Sequence, residues 1–592
     1  MASLLAEAKP IIPSDLDLKK KEGQQDPFWL ALRTSLNTRL IALETFRYGW
    51  WQHWARLAEY ILPRRYHWVI VANRTDRGMP INGNIIDATG TIAARTLAAG
   101  LMSGLTSPTR PWFRLAVGNQ RIMEMQSVKI WCDEVQRRML IIMAKSNFYD
   151  SLAAMYFDLV VFGTAPVIIY EDEDTVIRCY NPCAGEYYLG ADGALRINSL
   201  YRKFTLTLNQ IVDMFGKAAL SASMSADYER GGAPLEREYI IAHAIEPNRP
   251  VVTKEGKEKM LLPKVFTFRE VYWIYGGENP APLAIRGFKE DPFLAPRWDI
   301  TSNEAYGRSP CMDALPDIMQ LQQETKRKAE AIEKQVRPPL LADVSLKNQP
   351  TSSVAGGITY VASLTGAVGM KPVYEVKPDL SGMMEDLKEI QARIKNILFN
   401  DLFMMISQLD TVRSATEIDA RREEKLIQLG PVIERLQGEG LDTAIERVFA
   451  IMDRKGLLPP PPVEIQGKEI QIQYISMLAE AQRAIGTAGI ERLFQFAGNM
   501  AGVNPEIMDN LDGDEAIAEY GDLLHVPAKL VKDKKVVAKV RAARNKQQQQ
   551  AALLQQTVAG AKGAKDLSET QVGGGKNALE MMLNTGGGGG MQ

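Results

Sequence analysis

Residues 97–113 of the chain read LAAGLMSGLTSPTRPWF. They close a run from Ile85 to Leu105 in which Ala93, Ala94, Ala98, Ala99, Gly100, Ser103 and Gly104 carry almost no side-chain bulk. A helix clothed this way lets a neighbouring backbone come close, so the stretch predicts an internal helix pressed against another element.

Upstream, Leu40, Leu43, Trp50, Trp54, Leu57 and Ile61 recur at helical spacing, and Pro63 stops the helix they define. The tryptophans Trp50, Trp51 and Trp54 are read as anchors of a core; a platform for stacking bases is the alternative use of such a stripe. Downstream, residues 128–143 and 151–162 predict two further helices, and 166–170 and 175–180 alternate as strands around the acidic turn Glu171, Asp172, Glu173 and Asp174. A charge run at a hairpin tip is usually solvated, and no His or distant carboxylate cluster complements it as a metal site. Cys179 and Cys183 lack a second Cys or His pair at zinc-finger spacing and are expected to be free thiols.

From residue 236 to 297 the pattern turns to β, a small strand-rich insertion between helices. A long helix follows over 312–336, ended by Pro338 and Pro339. Its apolar stripe is Leu315, Ile318, Met319, Ala329, Ile332 and Val336, while Gln320, Glu324, Arg327, Ala331 and Lys334 point the other way. Between Lys347 and Lys371 the glycines, serines and Pro350 break all periodicity and predict a long mobile loop. Helix returns over 380–409, 416–429 and 441–454, and Pro459 to Pro462 closes that unit. Beyond Ile475 the chain reads as Ala-rich helix, with eight lysines and arginines against the single acid Asp533 between Lys529 and Lys546. The Gly-rich end, 573–592, is expected to be disordered.

The chain has 592 residues, 46% of them hydrophobic and 24% charged, too many for one core and too apolar for disorder, so several packed units in an α+β, mainly helical protein are expected. Lys and Arg number 70 against 71 Asp and Glu, which argues against a surface that grips nucleic acid or an anionic membrane everywhere; any polyanion contact is local. Four cysteines in so long a chain suggest a reducing compartment rather than a disulfide scaffold. Pro10, Pro13, Asp15 and Asp17 stand where a signal peptide needs an unbroken apolar core. The longest apolar run, 152–170, contains Asp158, Gly163 and Pro166, and is read as a buried helix entering a buried strand rather than a membrane span.

Enzyme chemistry finds no purchase. Gly573 to Lys576 imitates the end of a phosphate-binding loop, yet its first glycine would fall at Thr570 and its hydroxyl residue at Asn577. His53, His67, His243 and His525 are scattered, with no zinc-protease element and no nucleophile elbow. Neither a catalytic residue, a metal nor a cofactor is expected.

Residues 97–113, preceded by Asp87, Thr89 and Gly90, resemble the signature of the head-to-tail connector, or portal, proteins of short-tailed bacteriophages. The likeness continues through WDITSNEAYGRSP at 298–310, ATEID at 415–419 and Leu-Gly-Pro at 429–431, and spans roughly residues 40–460. The resemblance implies a portal fold that assembles as a dodecameric ring around a channel. Its parts would be a leader and α/β wing (1–203), a first stem helix at 204–215 within 204–235, a clip (236–300), a second stem helix (301–345), a tunnel loop (346–375), wing helices (376–474) and a helical crown (475–592). It further implies a place in the virion at one capsid vertex, assembly in the host cytoplasm, and no membrane insertion. The implied partners are the major capsid protein, the terminase large subunit, a tail adaptor and double-stranded DNA held without sequence preference. On this mapping Arg327 and Lys334 on the stem, with Lys347 and Lys371 at the loop bases, are expected to face the channel; pairing with acids of adjacent subunits is the other possibility for the stem charges. The alternatives are a terminase or nuclease component and a scaffold-like internal virion protein without a channel.

Overall fold

The computed structural model describes residues 27–63, 83–337, 340–342, 370–372, 380–402, 428–475 and 537–551, apart from 124, 253–254, 257 and 469, together with scattered positions from 493 to 516 and at 562 and 565. The leader, the stretches 343–369 and 403–427, and most of the chain beyond 475 lie outside these residues, and with them the readings made there. Two compact units are present: the first comprises 1–116, 134–460 and 471–482, the second 117–133, 461–470 and 483–592.

In the first unit helix α1 (Pro27–Ile61) buries Leu32, Leu36, Leu40, Trp54, Leu57 and Ile61 along one side. Trp54 is fully buried, edge-on to Tyr306 at 5.3 Å and to Phe162 at 6.3 Å, so it anchors a core and offers no face to a base. Helix α2 (Thr89–Leu105) begins four residues later than the sequence suggested. Strand β1 (Phe113–Val117) and helices α3 (Gln126–Lys145) and α4 (Phe148–Phe162) follow. Strands β2 (Val167–Asp172) and β3 (Val176–Tyr180) form the expected antiparallel hairpin. Its acidic turn is spent on structure: Asp172 accepts hydrogen bonds from Thr175, and Glu171 pairs with Arg454 at 3.5 Å.

The segment at 204–215 is not one helix. Strand β4 (Tyr187–Ala191) is followed by β5 (Ile197–Thr207), which takes in Phe204 to Thr207, and only Leu208–Phe215 is helical (α5). Phe204, Thr205, Leu206 and Thr207 favour a pleated strand, and Thr207 with Gln210 forms a capping box that fixes the helix start there. Gly216, at φ +80°, ends it after eight residues.

Helix α6 (Ala222–Arg230) precedes β6 (Glu238–Pro247), β7 (Phe268–Ile274), β8 (Ala284–Phe288) and β9 (Phe293–Leu294). These strands do not make a separate insertion. They complete an antiparallel sheet of order β8-β7-β6-β5-β4, while β9 joins β2. The reason lies in two-sided burial: Ala242, Ala244, Val271 and Trp273 pack under α1, and Ile241 and Tyr272 pack under α5 and α6. Strands apolar on both faces need neighbours on both edges.

Across this sheet runs a buried polar row. Arg202 Nε donates to His243 Nδ1 at 2.8 Å, and His243 Nε2 lies 2.8 Å from Glu270, which also accepts from Tyr170 and Tyr272 at 2.9 Å. A guanidinium N–H aimed at Nδ1 keeps that nitrogen an acceptor, so the imidazole is neutral and donates through Nε2. Burial first, then Arg202, push His243 down to about 4. Burial opposes ionisation of Glu270, but Arg286 and His243 outweigh it and hold the carboxyl down at about 2.

Helix α7 (Pro310–Val336) is locked at its start by the turn before it. Ser309 caps the helix by accepting from Met312 N at 3.1 Å and donates its hydroxyl proton to Val161 O at 2.7 Å. Gly163, in the left-handed region at φ +77°, ends α4 against Gly307; a Cβ there would lie 2.2 Å from Gly307 O. Gly307 N donates to Thr164 Oγ1 at 2.7 Å, and Arg297 reaches Glu439 at 2.6 Å. The α2 contact is as close as its small residues imply: a Cβ on Gly90 would come within 2.9 Å of Ile318 of α7.

Strands β10 (Leu340–Ala342) and β11 (Met370–Pro372) pair antiparallel, Leu341 opposite Lys371, so the predicted loop closes before Met370. Helix α8 (Leu380–Ile397) returns against α7, with Arg393 3.4 Å from Asp317. The helix predicted through to 409 is interrupted at Phe399, whose φ of +54° breaks the hydrogen-bond ladder before helix resumes at Asn400. Residues 428–436 are helical, 437–441 widen to a π turn, and α9 (Asp442–Arg454) continues; strand β12 (Ile470–Tyr474) pairs with β1.

Gly163→Ala is expected to destabilise the first unit by on the order of 3 kcal/mol, since it forces a left-handed alanine into a backbone oxygen. Gly49→Ala, in mid-α1 with nothing within 4 Å, should stabilise by about 0.5–1 kcal/mol. Paired melting curves check both, and equal shifts would contradict this account of the α4–α7 junction.

The buried row sets a pH dependence. With His243 at about 4 folded and 6.5 unfolded, the unfolded chain binds the extra proton, so stability is fully present above pH 6.5 and drains as pH falls toward 4. Glu270 continues the loss from 4.5 toward 2. Urea melts between pH 7 and 5 should show this slope, and His243→Gln should flatten it; a wild-type slope of zero in that window would refute the neutral-imidazole assignment.

Candidate nucleic-acid interface

The base of α7 is knotted to two other elements by one buried amide. Gln322 Oε1 accepts from Ile86 N at 2.7 Å and Asp87 N at 2.8 Å, and its Nε2 donates to Asp87 O at 2.8 Å. Asp87 in turn accepts from Thr89 at the start of α2 and from Gln391 of α8 at 2.8 Å. Burial opposes its ionisation, yet the Thr89 and Gln391 hydrogen bonds and nearby Lys395 hold the carboxyl below its usual range.

Beyond Gln322 no residue of α7 is buried. Met319, Ile332 and Val336, expected on the core stripe, are 37%, 38% and 71% exposed. The apolar period is present, but the elements that cover it stop at the knot. About 20 Å of helix therefore stands clear of the body, at 1.5 Å per residue.

That stretch carries Lys326, Arg327, Lys328, Lys334 and Arg337 against Glu324, Glu330 and Glu333, a local excess of two positive charges. Arg327 and Lys334 are seven residues apart, hence within about 20° on the helix, and both are exposed. The structure thus brings these two onto one face. Lys371 lies on β11, in the ladder that begins three residues after Arg337, and Lys347 lies outside the described residues. Lys326, Lys328 and Arg337 were not singled out by the sequence, because periodicity marks a face but not where its cover ends.

In the second unit residues 537–551 form a helix, here α10, with Lys539, Arg541, Arg544 and Lys546 exposed; the lysines at 529–535 lie outside the described residues. Among the described residues no three His, Cys, Asp or Glu side chains are grouped to hold a metal, and no helix is long and apolar enough to cross a membrane.

Comparison with known proteins agrees with this architecture. Residues 33–531 match the model of the bacteriophage head to tail connecting protein family. The chain is 40% identical over 528 residues to the "Probable portal protein" of Bordetella phage BPP-1, covering 88% of this chain and 94% of that one. It is 39% identical over 554 residues to the "Portal protein" of Salmonella phage epsilon15, covering 93% and 97%. A chain from the virion of the native gene transfer agent particle aligns at 12% identity with a TM-score of 0.31, over 72% of this chain and 99% of that one. With a family match over most of its length and two relatives near 40% identity, the chain belongs to the bacteriophage head to tail connecting proteins.

Proposed function

We propose that this chain is a portal protein: copies close into a dodecameric ring at one capsid vertex of the virion, through whose channel double-stranded DNA is packaged and ejected and which joins head to tail. The observation that carries this is a charged helix, rooted by the Gln322–Asp87 knot, standing clear of a folded body in a chain of this family. A single subunit has no use for such a projection; a ring of them makes a tube.

The observed pairing of α7 with α8 supports a revised order of parts. The two antiparallel helices suit the two stem helices better than 204–215 does, which makes 337–379 the clip, 398–427 the tunnel loop and 428–454 the wing helix. Arg327 and Lys334 then line the stem, and Lys347 and Lys371 extend the basic lining along the connection. Duplex DNA carries about one charge per 1.7 Å, and each phosphate neutralised strengthens the hold, so a conduit needs few cations and no base readers. A chain of net charge −1 with small basic patches, repeated by symmetry, centres the polyanion and lets it slide. The ring, assembled in the host cytoplasm, would meet the major capsid protein, the terminase large subunit during packaging and the tail adaptor afterward.

Negative-stain images of the purified protein should show annuli with a central hole; a stable monomer or solid particles would favour a scaffold-like virion protein instead. The same material should hydrolyse neither ATP nor DNA, and intrinsic nucleotide hydrolysis would point to a motor. Rings of Arg327→Gln/Lys334→Gln should assemble normally but yield fewer DNA-filled heads. A map with these side chains turned away from the lumen would remove them from the lining.

A further inference from the structure

We infer that helix α10, at 537–551, docks double-stranded DNA through its phosphates, lying along the major groove and ignoring sequence. Every residue of the helix is exposed except Val537, which is half-buried. It contains four cations, no acid, no aromatic residue and no leucine. A helix that is polar all round is stabilised by pairs of opposite charge along its own surface or by something that meets it from outside, and this one has no acid of its own to form such pairs.

The residue types narrow the partner's chemistry. A membrane-surface helix keeps one apolar face, and this one offers only Val537 and Val540 before alanines and glutamines. A protein partner would be gripped through aromatic or aliphatic anchors, which are missing. Single-stranded nucleic acid is held on stacking aromatics, also missing. A phosphate backbone needs only cations.

Placement of the cations selects the duplex. At about 100° per residue, Lys539 and Lys546 share one side of the helix, while Arg541 and Arg544 lie roughly 140–200° away on the other. An α-helix about 10–12 Å across fits a major groove about 12 Å wide, whose two walls are phosphate ridges. Cations on opposite sides meet both walls at once. The lysines at 529, 532, 534 and 535 stand just before this helix in sequence and add to the same field. Such docking does not depend on the channel, since it requires one helix of the second unit and not a lumen.

The test uses the full-length protein in its native oligomer and fluorescent 30-base-pair duplexes of two unrelated sequences, with affinity measured against salt. Replacement by glutamine at all four positions, K539Q/R541Q/R544Q/K546Q, should lower the slope of log affinity against log salt by about 3–4, at about 0.9 for each phosphate no longer neutralised. Glutamine is itself a good helix former, and the charge-preserving K539R/R541K/R544K/K546R should keep the wild-type slope. The two sequences should bind alike, and vesicles rich in phosphatidylserine should not compete. An unchanged slope in the glutamine variant, a sequence preference, or competition by vesicles each overturns the assignment. Images of the variant's annuli report separately on the ring, so the two readings fail independently.

Discussion

The junction at which α4 ends and α7 begins constrains everything around it. Gly163 and Gly307 meet backbone to backbone, a contact that tolerates no Cβ on either side, and Ser309 ties the first turn of α7 to the last turn of α4. Because backbone packing of this kind has no soft side chains to absorb error, the direction of α7 is set to within the play of a few hydrogen bonds. Arg297, buried and bonded to Leu195 O and Glu439, ties the π turn at 437–441 to the same place. The segment WDITSNEAYGRSP, which carries family likeness but no chemistry, is intelligible as this joint.

From that joint the helix runs through a second fixture at Gln322 before it stands alone. Ser309 and Gln322 are roughly 20 Å apart along the axis, at 1.5 Å per residue, with Ile318 between them pressed on Gly90. A lever held at two points resists tilt as well as translation. The residues that form the second fixture, Asp87, Thr89, Gly90 and Gln322, are polar or small, and their value is geometric. Removing one partner would leave a buried amide or carboxylate unsatisfied, which costs more than the bond itself contributes.

Much of this is legible in the sequence, and the exceptions share a cause. The Trp54 stripe, the hairpin at 166–180, the small-residue helix and the start of α7 follow from periodicity and local turn chemistry. Phe204 to Thr207 do not, since four residues that suit a strand acquire that identity only by pairing with Tyr239 to Ile241 and Glu238, some 30 residues on. The strands of 236–297 look like an insertion for the same reason: alternation shows a strand, and not which strand lies beside it. Met319, Ile332 and Val336 show the complementary limit, for an apolar period is a property of one helix whereas its cover belongs to another. Of the expected lining, Arg327 and Lys334 can be set on one face from spacing alone; the knot at Gln322 cannot be foreseen, because a buried glutamine leaves no periodic trace.

Charge distribution follows the same division between body and projection. Inside the first unit, cations are consumed by fixed partners: Arg202 by His243 and Glu186, Arg269 by Glu246, Arg297 by Glu439, Arg447 by Glu290. Such buried pairs add little net stability over apolar packing, but they demand one arrangement, because a misplaced guanidinium would be left uncompensated in a low dielectric. On α7 beyond Gln322 and on α10 the cations stand at the surface, where salt screens them within about 10 Å. A net charge near zero therefore hides two populations, one that specifies the fold and one that is accessible to a polyanion. The second is small by necessity, since a helix crowded with exposed charge gains nothing from the body it leaves and is maintained only where something outside the subunit meets it.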